Sequence, residues 1–217
     1  MEARMSMNQS SFDQLAESLR RRLGLSLPGE AAHSVMRAMP LAELQFRFSH
    51  QEPPRPGSVL LLLVEQDGVI TFPMILRPSY DGAHGGQVSL PGGKAEDGES
   101  PEETALREAA EEIGIDPASV ELIGRLSDLH VIPSNFMVTP VVGLIRQLPE
   151  YRPDPHEVET LLTARLHDLL SEEAVSRKEI EVRGHRIDAP YFLLDGHVVW
   201  GATAMILNEF RSVISGL

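Results

Sequence analysis

Residues 93–115 read GKAEDGESPEETALREAAEEIGI, and the spacing of their acids and glycines decides how the chain is understood. The spacing predicts a helix over 100–113. Ser100 suits the N-cap, Pro101 the first helical position, and Glu103 completes a capping box. Gly114 suits the left-handed residue that ends the helix. Glu102 and Glu103 suit the positive end of the helix dipole. The opposite end is unusual, because Glu108, Glu111 and Glu112 crowd the last turn, where negative charge is disfavoured. Positions three and four apart share one helix face, so the three carboxylates repel one another there. A solvated acidic face is the ordinary reading of such a run. A hard divalent cation bound by carboxylate oxygens is the other.

Outward from this helix the pattern favours strands. Residues 58–64 and 69–77 read as a hairpin about Gln66-Asp67-Gly68, and 87–90 as a short strand leading into the turn Pro91-Gly92-Gly93. Residues 120–126, 138–145, 179–186 and 191–200 read as strands, the last turning at Asp195-Gly196. Val158 opens a strand toward Leu166 and is not read as a core residue. Residues 168–174 form a helical turn, and 202–214 a closing amphipathic helix. Phe12, Leu15, Leu19 and Leu23 have helical spacing closed by Gly24, and a shorter helical stretch lies near 31–39. Residues 1–10 are expected to be disordered, and 51–57, rich in proline, to be a linker. This places an N-terminal helical extension at 1–50 and the main domain at 51–217. Strands outnumber helices without alternating with them, which favours an α/β (α+β) fold with a mixed sheet covered by helices.

Composition excludes several classes. The chain has 217 residues and no cysteine, which removes disulfides, thiolate metal sites and cysteine nucleophiles together. Its formal net charge is −13, so non-specific nucleic-acid binding or binding to an anionic membrane is not expected. An acidic protein acting on phosphates needs a divalent cation between the two. The longest apolar run, 59–64, is far short of the ~20 residues that span a bilayer. No targeting segment is evident, and the default location is cytoplasmic. There is neither a Walker loop nor a nucleophile elbow.

With Gly93, Glu99, Arg107-Glu108, Ala109, Glu111-Glu112, Gly114 and Ile115 in register, the sequence resembles the Nudix hydrolase family. Its signature is glycine, five residues, glutamate, seven residues, then Arg-Glu, an apolar residue, any residue, Glu-Glu, any residue, glycine, apolar. Seven fixed identities at background frequency coincide at about one start in 10⁸. The resemblance implies the Nudix fold, a mixed sheet sandwiched between helices, and metal-dependent hydrolysis of a diphosphate linkage with Mg²⁺ or Mn²⁺ as cofactor. It implies Glu108 and Glu112 as main metal ligands, with Glu111 at a second ion or acting through water. Glu99 reaches the same cluster from the preceding loop, and Gly92 offers a backbone carbonyl. Arg107 orients and neutralises the glutamates. The general base comes from the helix, with Glu111 as candidate, or from a later loop, with Glu157.

A second resemblance concerns residues 76–93, reading LRPSYDGAHGGQVSLPGG. Arg77, Gly86, Gln87 and Pro91-Gly92-Gly93 are similar to the additional motif of the coenzyme A pyrophosphatase branch. Ile75, Pro78, Gly82 and Leu90 stand where that motif has threonine, a small residue, a basic residue and an aromatic. Leu27-Pro28-Gly29, residues 133–140 and residues 199–204 also resemble that branch. The implied substrate is a small nucleotide, coenzyme A or a derivative, cut to 3′,5′-ADP and 4′-phosphopantetheine; ADP-ribose or a dinucleotide is the alternative, and a non-catalytic binding module a third reading. Arg77 either holds substrate phosphate or ends a strand. Gly86, Gln87 and Lys94 are further substrate-side candidates, Lys94 reading equally well as a solvated lysine. His84 as a phosphate contact and Phe136 as a stack for adenine are weaker readings than an exposed loop histidine and a core aromatic, and Trp200 reads as packing. The extension at 1–50 is left with three jobs: a lid, a homodimer contact, or packing on the sheet.

Overall fold

The computed structural model describes residues 2–41, 50–79, 85–182 and 185–216, with the side chains of 2–11 and 185 excepted. Helix α1 spans Glu2–Leu23 and α2 spans Glu30–His33. Strand β1 is Met39–Pro40, β2 Arg55–Gln66, β3 Val69–Leu76, β4 Val88–Ser89 and β5 Gly92–Lys94. Helix α3 (Pro101–Ile113) follows, then β6 (Glu121–Arg125), β7 (Leu129–Val131), β8 (Phe136–Ile145) and β9 (Thr160–Arg165). Helix α4 (Leu166–Leu170), β10 (Val175–Val182), β11 (His185–Leu194), β12 (His197–Trp200) and α5 (Gly201–Ser215) complete the chain.

Among the described residues the strands form two sheets. The larger runs β4-β3-β2-β8-β6, with β5 on β2, β7 on β8 and β9 on β3; β2 and β8 are parallel and the other pairs antiparallel. The mixed sheet read from the sequence is therefore present. A separate antiparallel sheet, β1-β11-β10 with β12 beside β11, was not foreseen.

Strand β2 shows why helices cover both faces of the large sheet. Successive side chains of a strand point to opposite faces. Leu60, Leu62 and Val64 pack with Ala105, Ala109 and Ile113 of α3. Leu61 and Leu63 belong to the other core, with Phe12, Ala16 and Leu19 of α1 and Phe210 and Val213 of α5. Each such side chain contributes roughly 1.5–3 kcal/mol on full burial. The segment before β1 is thus part of the main core, packed on the sheet.

Four local readings need correction. Residues 2–10 are helical rather than disordered; they are polar but hold no proline or glycine, so a helix anchored by buried residues from Phe12 onward extends through them at little cost. The supposed linker at 51–57 ends in strand, since β2 starts at Arg55. Its Gly57 is there for contact: a Cβ would lie 2.6 Å from the Gly93 carbonyl oxygen. Val158 is a buried core residue beside α3, just before β9. The strand expected over 179–186 is two strands, because β10 ends at Val182 and β11 begins at His185. His84 and Gly82 lie outside the described residues. Among the described residues, no helix is long and apolar enough to cross a membrane.

Candidate active site

Helix α3 is fixed at both ends. The Ser100 hydroxyl accepts from the Glu103 N–H, and the Glu103 carboxylate accepts from the Ser100 N–H, forming the capping box. Gly114 is left-handed, with φ 72°, and donates to the Ala110 carbonyl. The carbonyls left over at the helix end are taken up from a distant loop: Arg152 N–H donates to Ile113 and Asp154 N–H to Glu112. The loop closes so tightly that a Cβ on Gly114 would lie 2.7 Å from the Arg152 Cβ. Burial of Ala105, Ala109 and Ile113 then aims the glutamate face at β5.

Strand β5 pairs with the start of β2, Gly92 opposite Val59 and Gly93 opposite Ser58. A Cβ on Gly92 would meet the Ser58 carbonyl oxygen at 2.3 Å, and one on Gly93 would meet Glu108 Oε2 at 2.3 Å. The two glycines therefore let backbone press against the sheet on one side and a carboxylate on the other.

Glu112 is 1% exposed. The Gly92 N–H donates to its Oε2 at 2.7 Å, and Arg77 Nη2 donates to its Oε1 at 2.8 Å. Arg77 Nη2 also donates to the Gly92 carbonyl at 2.9 Å, and its Nε to Ser89 Oγ at 3.2 Å. A second guanidinium serves the remaining acids. Arg107 forms a fork on Glu99, Nε to Oε1 at 2.7 Å and Nη2 to Oε2 at 3.0 Å. Its Nη1 reaches Glu108 at 2.9 Å and Glu111 at 3.1 Å, and its Nη2 the Lys94 carbonyl at 3.0 Å. Thr104 donates its hydroxyl to Glu99.

These contacts divide the acids electrostatically. Hydrogen bonding from Arg107 and from the Glu96 N–H holds Glu99 down at about 2. Burial pushes Glu112 up to about 7 against the pull of Arg77, and the charges of Glu108 and Glu157 push the same way. Burial also raises Glu108, with Glu111 and Glu157 adding to the effect and Arg107 opposing it. Glu157, exposed in the loop before β9, is therefore within electrostatic reach of both.

The sequence-predicted residues fall into place unevenly. Glu99, Arg107, Glu108, Glu111 and Glu112 form one patch with Gly92 and Arg77. Gly86 and Gln87 lie at its edge, tied to the backbone of Arg77: Gly86 N–H donates to the Arg77 carbonyl, and Arg77 N–H to that of Gln87. The Lys94 side chain is exposed. Phe136 is half-buried with the Arg55 guanidinium 4.2 Å from its ring centre. Trp200 sits at the N-cap of α5. Ser89 and the 152–154 loop were missed. Ser89 lies within the quoted motif, but nothing local marks its partner, and the loop's role comes from backbone groups that carry no side-chain signature.

The donor set matches a hard divalent cation: carboxylates of Glu99, Glu108, Glu111 and Glu112, with the Gly92 carbonyl beside them. The glycine gap that Glu108 fills puts carboxylate oxygen against backbone, as such an ion requires. As they stand, no three acids or histidines among the described residues converge on one point. The carboxylates are turned instead to two guanidinium groups.

Residues 53–190 match the NUDIX domain family. The chain belongs to the Nudix hydrolase family. It is 33% identical over 194 residues to the Nudix hydrolase NudL of Yersinia pestis (strain Pestoides F), covering 81% of this chain and 95% of that protein. Nudix hydrolase 15, mitochondrial, of Arabidopsis thaliana is 36% identical over 171 residues, 74% of this chain. The match spans 59% of that plant protein's length and 58% of that of Nudix hydrolase 22, chloroplastic. In fold, this Nudix chain is similar to the M. smegmatis Nudix hydrolase RenU, with TM-score 0.51, 16% identity and coverage of 83% and 96% of the two chains. A C. elegans Ap4A hydrolase binary complex gives TM-score 0.50 and 16% identity, with coverage of 75% and 99%.

Proposed function

We propose that this chain is a Mg²⁺- or Mn²⁺-dependent pyrophosphohydrolase that cuts the diphosphate bridge of coenzyme A or an acyl derivative. The products are 3′,5′-ADP and the (acyl-)4′-phosphopantetheine. The observation that carries the reading is Glu112, an almost fully buried carboxylate between the Gly92 N–H and Arg77, with Glu108 filling the glycine gap beside it. Glu108, Glu112 and the Gly92 carbonyl would hold the ion, with Glu111 and Glu99 at its margin. When bound, the ion lowers the pKa of a water and neutralises charge on the phosphoryl oxygens. Arg107 keeps Glu99, Glu108 and Glu111 oriented. Glu157 would accept the proton as the water oxygen bonds to phosphorus and the bridging P–O bond breaks. Its charge reaches Glu108 and Glu112, and its loop is held on α3 by backbone hydrogen bonds.

The choice of coenzyme A rests on the segments similar to that branch. Two of them touch: the buried Thr203 hydroxyl, from 199–204, donates to the Val88 carbonyl at 3.0 Å. Of the four departures from the motif, Ile75 and Leu90 are buried in the cores. A substrate panel with Mg²⁺ or Mn²⁺, resolved by chromatography, tests the reading. Coenzyme A should have the highest kcat/KM. Faster turnover of ADP-ribose or a dinucleotide would move the substrate to another nucleoside diphosphate derivative. No turnover of any would overturn the hydrolase reading.

A further inference from the structure

The two arginines of the site are placed differently. Arg107 binds the outer acids Glu99, Glu108 and Glu111 and the Lys94 carbonyl. Arg77 holds both of those oxygens with the same Nη2, at 2.8 Å from Glu112 Oε1 and 2.9 Å from the Gly92 carbonyl. These are two of the donors that Proposed function gives to the ion, and this inference rests on that reading. A magnesium-sized ion takes oxygen donors at about 2.0–2.1 Å in a near-octahedral shell. A guanidinium hydrogen-bonded to the same two oxygens competes with the ion for them, and its charge repels the ion.

Only one of the pair has room to yield. The Arg77 side chain is 21% exposed and that of Glu112 1%. The Arg77 backbone is fixed by Gln87 and Gly86, and the neighbouring Leu76 carbonyl accepts from Glu159 N–H. Movement is therefore confined to the side chain, whose base is anchored at the rim of the glutamate patch.

We infer that Arg77 is a placeholder cation, which neutralises Glu112 and the Gly92 carbonyl before the ion arrives and is displaced from them on loading, becoming available to a substrate phosphate. Arg77 then acts first on its own site and next on the diphosphate, a charge-assisted donor in both settings.

The test is Mn²⁺ binding without substrate, followed by the loss of the free-ion EPR signal, in the wild type, Arg77→Met and Arg77→Gln. Circular dichroism checks that each variant is folded, and the glutamine variant serves should the methionine one fail. Binding is measured above about pH 8, because loss of Arg77 also favours the protonated form of Glu112. There, removing the competing charge should tighten Mn²⁺ binding about three- to fivefold in either variant. At saturating Mn²⁺, KM for the diphosphate substrate should rise while kcat falls less. Unchanged or weaker Mn²⁺ binding in a folded variant would overturn the inference and leave Arg77 as a prop for Glu112. Absence of Mn²⁺ binding by the wild type would instead sink the metal reading on which it depends.

Discussion

Glu112 concentrates the tension of the site in one side chain. Burial favours its protonated form, so its pKa stands at about 7 rather than near the ordinary 4.5. A carboxyl with a raised folded-state pKa binds more protons folded than unfolded between those values. Its contribution to stability is therefore complete below about 4.5 and is lost as pH rises toward 7. A cation needs the deprotonated form. We expect Mn²⁺ affinity to fall as pH drops below about 7, with proton release on binding. Calorimetry in two buffers of different ionisation enthalpy measures that release; identical heats at pH 6 would refute it. The Glu112 side chain could be named from spacing alone. Its pairing with Arg77 could not, because the two are 35 positions apart and only the folded sheet brings them together.

At the level of the element, α3 was legible from end to end because its signals are local. The capping box and the left-handed Gly114 both occur as the spacing predicts. Gly114 has a second, non-local reason to be glycine, the Arg152 backbone and Cβ packed against it. Gly114→Ala should therefore cost more than an ordinary cap change, about 1–3 kcal/mol. Urea denaturation would show this as a lower midpoint at unchanged slope; an unshifted midpoint would contradict it. Elements defined by partners were harder to read. Gly57 looked like linker because its need for closeness lies in Gly93, 36 positions away. Residues 179–186 read as one strand because charged and apolar residues alternate both in the end of β10 and in the start of β11.

Across the whole molecule, one buried acid ties the ends of the chain together. Glu209 of α5 is fully buried and accepts from the Gly29 N–H, His33 Nε2, and the Ser127 N–H and hydroxyl. Burial alone would raise its pKa, but the bonds from His33, Ser127 and Gly29 outweigh it and hold the group below 4.5. Its stabilisation is thus present above about 4.5 and lost as pH falls through the lower folded-state value. Glu209→Ala should cost about 3–5 kcal/mol by leaving buried donors unpaired. Glu209→Gln should flatten the acid limb of a plot of thermal midpoint against pH, and an unchanged limb would show that the acid sensitivity lies elsewhere. The helical spacing that read Phe12, Leu19 and Leu23 as one apolar face anticipated part of this arrangement. The link from Gly29 and His33 to Glu209 had no signal in sequence, since its partners lie at opposite ends of the chain.

The most direct test of the metal-centred account is ³¹P NMR of coenzyme A incubated with Mg²⁺ and either wild-type protein or Glu112→Gln. Glutamine keeps the shape of the side chain and an oxygen for the Gly92 N–H, so the fold should survive while the negative charge is lost. The wild type should convert the diphosphate resonances to two phosphomonoesters, and the variant should be slower by about 10²–10³-fold or more. A Glu112→Gln protein that hydrolyses the bridge nearly as fast as the wild type would contradict the account.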